Sequence, residues 1–232
     1  MNEAEWLACE DPAAMLPLLR EKGTSRVPML YSASCLRRVW HLVTDERGRA
    51  LIESTELFLD GLVSEEEAAC VYDAYESAYL NPELRNEGGN EIDEAVFDLA
   101  HVRFQDAISC SNHIACAVGD ISSNPDDELA WEVAFKAEKA AQAPLLRDIF
   151  GNPFRPVAIN PAWQTPTVVA LAQAAYDNRT LPGGTLEPAR LAVLADALEE
   201  AGCDNGDILK HLRQTGQHVR GCWVVDLILG KE

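Results

Sequence analysis

At 232 residues, 47% hydrophobic and 25% charged, the chain has ordinary globular composition and enough length for one large domain or two small ones. No stretch approaches the ~18 uninterrupted apolar residues of a membrane span, and Met1-Asn2-Glu3-Ala4-Glu5 is acidic where a signal peptide is basic, so the expectation is a cytoplasmic protein with no membrane partner. The net charge of −19 is concentrated in residues 61–144, where 18 acids face 4 bases; such a field repels phosphate backbones and argues against direct nucleic-acid binding.

In chain order the pattern is helical almost throughout. Met29, Ala33, Leu36, Trp40 and Val43 recur at spacings of 4, 3, 4 and 3, one stripe of a helix. Ser64 followed by Glu67 is a capping box opening a helix with an acidic first turn, and Asn81-Pro82 stops it. Glu87-Gly88-Gly89-Asn90 is the clearest break, before a long helix from about Ile92 to Val118. Ser122-Ser123-Asn124-Pro125 is a second break, before a helix from about Asp126 to Ala143. Pro144 either kinks that helix or opens the next, because it lacks a backbone donor and clashes with the preceding turn.

Further on, Thr165-Pro166 is a cap followed by proline at the first helical position, leading a helix to about Asn178. Thr180–Thr185 reads as a loop. Leu191, Leu194, Ala195 and Leu198 mark the next amphipathic helix, closed by Gly202, and Asp204 caps a short one running to about Thr215. The apolar run Cys222–Leu229 suits a buried helix or a strand; helix is preferred because nothing else in the chain offers a strand to pair with. The predicted fold class is therefore all-α: an irregular multi-helix bundle, or helical hairpins in solenoid-like succession. Its parts are 1–60, an acidic middle at 61–144 and a compact module at 145–232, or one domain containing all three.

The seven cysteines are odd in number and lack paired spacings, which argues for reduced, mostly buried thiols rather than a disulfide framework. Two Cys/His groups have metal-ligand chemistry. Cys110, His113 and Cys116 fall on one predicted helix, where Cys110 and Cys116 lie roughly 120° apart around the axis and cannot reach one ion together. Cys203, His211, His218 and Cys222 supply two thiolates and two imidazoles, the donors of tetrahedral zinc; a core thiol beside a helix cap and solvated histidines would explain the same letters. Asp98 and His101 share a helical face, but a di-iron bundle needs two such pairs and more carboxylates. Arg147, Arg155, Arg179, Arg213 and Arg220 lie among aspartates, as structural ion pairs or as an anion site.

The segments Leu145–Pro156, Val168–Arg179, Leu194–Cys203 and His218–Asp226, with Glu3–Leu7 and Cys35–Leu42 near the start, resemble a large paralogous family of uncharacterised bacterial proteins. The resemblance covers both ends of the chain and weakens between about residues 61 and 130. It implies no established activity and an accessory or interaction role. No Gly-x-Ser-x-Gly elbow, phosphate-cradling glycine loop, dinucleotide fingerprint or His-Glu-x-x-His occurs. The expectation is thus a non-enzymatic interaction or regulatory protein with a basic protein partner docking at Glu65, Glu66, Asp126, Asp127 and Glu128. The alternatives are a zinc-containing module at Cys203, His211, His218 and Cys222, with a structural or cryptic metal-dependent role, and an acidic nucleic-acid mimic.

Overall fold

The computed structural model describes residues 1–20, 26–81, 91–99, 104–124 and 126–231. Twelve α-helices and no strand are found among them, so the fold is all-α with many helices. The chain divides into two compact units, Met1–Ala143 and Pro144–Glu232; residues 1–60 and the acidic middle share the first.

The first unit runs α1 (Glu3–Ala8), α2 (Pro12–Leu19), α3 (Arg26–Arg38), α4 (Glu46–Leu59), α5 (Glu65–Leu80), α6 (Glu91–Leu99), α7 (Phe104–Ser122) and the start of α8 (Glu128–Phe150). α6 packs on α7 and α4 on α5, while α3 contacts α4, α6 and α7. Trp6, Met15, Leu16, Tyr31, Leu36, Ile52, Leu99 and Ile114 are closed off in its core. The Ser64 capping box forms as the sequence implies, with the Glu67 N–H donating to the Ser64 hydroxyl and the Ser64 N–H to the Glu67 carboxylate.

Two sequence expectations are corrected here, and of the two readings of Pro144 the one in which it stays inside its helix holds. α3 ends at Arg38, and Val39–Leu42 continue as tight turns that still bury Val39 and Val43, so a stripe with helical spacing is completed without a helix. The long helix over Ile92–Val118 is two helices, α6 and α7. α8 continues through Pro144 as one element, giving its last turns to the second unit. The Glu87–Asn90 break and His101 lie outside the described residues.

Between α3, α7 and α8 the first unit carries a buried polar network. The Tyr31 hydroxyl of α3 lies 3.4 Å from both the Ser111 hydroxyl and the Gln142 side-chain oxygen, Ser111 donates to that side-chain amide oxygen at 2.6 Å, and the Lys139 ammonium donates to Ser111 at 3.1 Å and to Asn112 at 2.7 Å. Buried polar groups persist only when satisfied, and satisfying this set fixes the register of three helices.

The second unit follows α8 with α9 (Pro166–Asp177), α10 (Pro188–Glu200), α11 (Gly206–Arg213) and α12 (Trp223–Leu229). Thr165 caps α9 as expected, through the Val168 N–H. The cap of α11 is Asn205, whose side-chain oxygen accepts from the N–H groups of Asp207 and Ile208, and not Asp204. α9 packs on α10 and α12, and α10 on α11. Val168, Ala172, Leu191, Leu194, Leu198, Ile208, Leu212, Val224, Val225 and Ile228 form the shared core. The apolar run after Cys222 is helical, closed by Gly230 in the left-handed region at φ 66°.

Candidate metal centre

Four side chains of the second unit meet at one point. Asp148 stands in the last turn of α8, His211 in the last turn of α11, His218 in the loop between α11 and α12, and Cys222 at the N-cap of α12. Each offers a donor atom, and these atoms all lie within 4.8 Å of one another. Among the described residues it is the only group of three or more His, Cys, Asp or Glu side chains converging in this way.

Local structure explains the convergence. The Leu186 N–H donates to the His218 carbonyl at 2.8 Å, and Thr185 bridges Val219, so the loop is pinned at the first ligand. Gly221 then takes φ 90°, a left-handed conformation that only glycine adopts cheaply, and its N–H donates to the Tyr176 hydroxyl at 3.1 Å. That turn brings Cys222 back beside His218. His218 and Cys222, four residues apart, therefore meet across a tight turn and not along a helix face.

At the other end, Gly151 closes α8 at φ 75°, and the Trp223 indole lies against it, only 3.1 Å from where a Cβ would sit. Gly151→Ala should therefore cost at least about 1–2 kcal/mol from the left-handed backbone alone, and more from the indole. Thermal unfolding checks this, and an unshifted midpoint would show that the indole and backbone relax freely. Trp223 itself is half-buried, packed against the rim of the core.

The donor atoms sit at hydrogen-bonding distances from one another. His211 Nε2 lies 3.2 Å from Cys222 Sγ and 3.1 Å from Asp148 Oδ1, and His218 Nδ1 lies 2.6 Å from Asp148 Oδ1 and 3.9 Å from Cys222 Sγ. With metal bonds of about 2.0–2.2 Å to N or O and about 2.3 Å to S, tetrahedral zinc sets neighbouring donors roughly 3.3–3.6 Å apart. The His218–Asp148 edge is shorter than that and the His218–Cys222 edge longer, so a bound ion would spread the first and close the second by several tenths of an ångström.

Backbone contacts orient Asp148 and Cys222. Asp148 turns Oδ1 inward because Oδ2 accepts the Val219 N–H at 2.8 Å. The Cys222 sulfur faces the backbone N–H groups of Val224 and Val225, which favour a thiolate. At its other ring nitrogen, Nδ1, His211 meets the amide of exposed Gln214 at 3.2 Å. His218 Nε2 is buried with no hydrogen-bond partner.

Electrostatics follow burial. Burial by itself raises the Asp148 carboxyl, but hydrogen bonds from His211 and His218 and their charges outweigh it and hold it below the usual carboxylate range. Burial and then the Asp148 charge push the Cys222 thiol well above its ordinary value. Without a cation it is a neutral thiol; a coordinated cation would deprotonate it.

The arrangement is poorly built for thiol catalysis. A Cys-His-Asp triad needs the acid on one imidazole nitrogen and the thiol on the other, whereas His211 Nε2 faces both, and Cys222 is 0% exposed. Two nitrogens, one thiolate and one carboxylate suit zinc or cobalt(II) and not the oxygen-demanding magnesium or calcium. Four protein donors leave no open position, the mark of a structural centre.

Of the residues expected from sequence, His211, His218 and Cys222 are in this group and Cys203 is not. Cys203 is packed in the core after Gly202, which turns at φ 87°, and its N–H donates to the Leu198 carbonyl at 2.8 Å. Asp148 takes the place that Cys203 was assigned. Its only signal in the sequence was an aspartate one turn before a helix-ending glycine, and its distance of 63 residues from His211 hid the rest. Cys110 is fully buried, and His113 pairs through Nδ1 with Asp98 at 2.9 Å, so that trio forms no centre. Arg213 bridges Asp196 and Glu199 at the surface.

Glu65, Glu66, Asp126, Asp127 and Glu128 are all exposed, the first two opening α5 and the others leading into α8. Replacing all five by Gln or Asn should move stability by no more than about 1 kcal/mol, because exposed charges contribute little. A larger loss on thermal unfolding would place them in structural ion pairs.

No helix among the described residues is long and apolar enough to cross a membrane. Comparison of the chain with protein-family models, with curated proteins and with solved structures gave no match in any of the three.

Proposed function

We propose that the second unit is a non-catalytic, zinc-centred module whose ion is held by Asp148 Oδ1, His211 Nε2, His218 Nδ1 and Cys222 Sγ. The observation that carries this reading is the convergence of those four buried donors within 4.8 Å, from elements up to 74 residues apart in the chain. Such an ion ties the end of α8 to α11 and α12. Its role is to hold a surface in shape, in keeping with the accessory role implied by the resemblance of the tail segments. Elemental analysis of protein purified without chelator should give one zinc per chain. Asp148→Ala and Cys222→Ser should lose it, and Cys203→Ala should keep it. A metal-free native protein that takes up no added zinc or cobalt(II) would leave a purely hydrogen-bonded Asp-His-His cluster.

The exposed acids of the first unit support a second reading, a docking face for a basic protein. Attraction between exposed charges is screened over about 10 Å at 0.1 M salt, so such a complex should weaken steadily as salt rises. Binding that is equal at low and high salt, and equal in the five-residue neutralised variant, would reject it.

A further inference from the structure

The four donors are not equally enclosed. The side chains of Asp148 and His218 are 2% and 0% exposed and Cys222 is 0% exposed, while the His211 side chain keeps 10%. A cation cannot reach the centre past Asp148, His218 or Cys222 without opening the core. His211 is the shallow side. We infer that His211 is the gate of the centre: its imidazole swings outward to admit or release the ion, while the backbone of α11 stays in place. The inference rests on the metal reading above.

The surroundings of His211 divide into a fixed base and a movable latch. Ile208 and Leu212 on the same helix are buried in the core, and Arg213 is clamped to Asp196 and Glu199 of α10, so the last turn of α11 is anchored on both sides of the histidine. The imidazole itself is held by softer contacts. Its ring lies 5.1 Å from the half-buried Trp223 indole, tilted at 53°, and its Nδ1 meets the amide of exposed Gln214 at 3.2 Å. Gln214 is the C-cap of α11, already in extended backbone, and residues 214–216 are exposed. Rotation about the His211 side-chain bonds thus needs the loss of the Gln214 contact and of the inward contacts of Nε2 with Asp148 and Cys222, and a displacement of Trp223, with no opening of the core. The other three ligands require rupture of the core.

A gate has a kinetic signature that a misplaced ligand lacks. Loosening the latch speeds passage in both directions and leaves the equilibrium nearly unchanged; distorting the ligand speeds release alone and weakens affinity. Zinc uptake by stripped protein and zinc transfer to a chromogenic chelator should therefore both accelerate several-fold in Gln214→Ala and in Trp223→Ala, with the dissociation constant changed less than either rate. Gln214→Ala, at an exposed position, keeps the test open if Trp223→Ala unfolds. Wild-type protein that takes up no zinc would remove the metal reading itself. Zinc that binds but exchanges at the wild-type rate in both variants, or only leaves faster, would overturn the gate and leave the metal reading standing.

Discussion

If the second unit holds the proposed zinc, its removal is expected to lower the unfolding midpoint by roughly 15–30 °C. A ligand that binds only the folded state adds about 4 kcal/mol when free at 1,000 times its dissociation constant, and 1 kcal/mol moves the midpoint of a 60–100-residue domain by about 4–8 °C. Pro144–Glu232 falls in that size class. The contribution is large because Asp148 brings a formal charge to a site where its side chain is 2% exposed, and because a cation turns the neutral Cys222 thiol into a fourth bond. Calorimetry before and after chelation, with zinc restored in a third scan, measures it. Identical scans with and without zinc would mean that two imidazoles donating to one carboxylate hold the site unaided. Cys203→Ala separates the two sets of ligands: it should retain the zinc-dependent step, because Cys203 serves the core and not the centre.

How far the sequence reached depends on the range of the interaction. Ser64 with Glu67, and Thr165 with Pro166, were legible because a cap is satisfied within three residues and needs nothing distant. The all-α class followed from periodicity, which each helix carries by itself. The end of α3 was not legible: Trp40 and Val43 keep helical spacing, yet turns bury Val43 as well as a helix would. Cys203 illustrates a deeper limit. Its donor chemistry is right and its neighbourhood in sequence is right, but the turn at Gly202 sends its side chain into the apolar core. Asp148 had no local partner to betray it, since the carboxylate reads as one more helix-end acid until Val219 and both histidines reach it from 63–71 residues away. Gly221 is intermediate: the glycine before Cys222 was visible, but the Tyr176 hydroxyl that fixes its turn was not.

In the first unit the largest single-residue effect is expected at Arg37. Its guanidinium makes a two-pronged contact with Glu56, Nε to Oε1 and Nη2 to Oε2, both at 2.7 Å, joining α3 to α4 with both side chains 2% exposed. The Trp40 ring lies 5.0 Å from the same guanidinium. A buried pair of this kind adds little over an apolar pair of the same volume, since both ions lose their hydration; breaking it is costly, because the surviving charge stays buried without its partner. Arg37→Met should thus destabilise the unit by about 3–5 kcal/mol. Glu56→Gln should cost less, as the amide oxygen still accepts one guanidinium hydrogen bond. The double variant Arg37→Met/Glu56→Leu removes both charges and should recover most of the loss, so the coupling between the two positions has the sign opposite to additivity. Denaturant unfolding of Arg37→Met, Glu56→Leu and the double variant gives that coupling directly. Additive losses would show that each residue acts through its packing, and that the α3–α4 contact owes nothing to the pairing of charge.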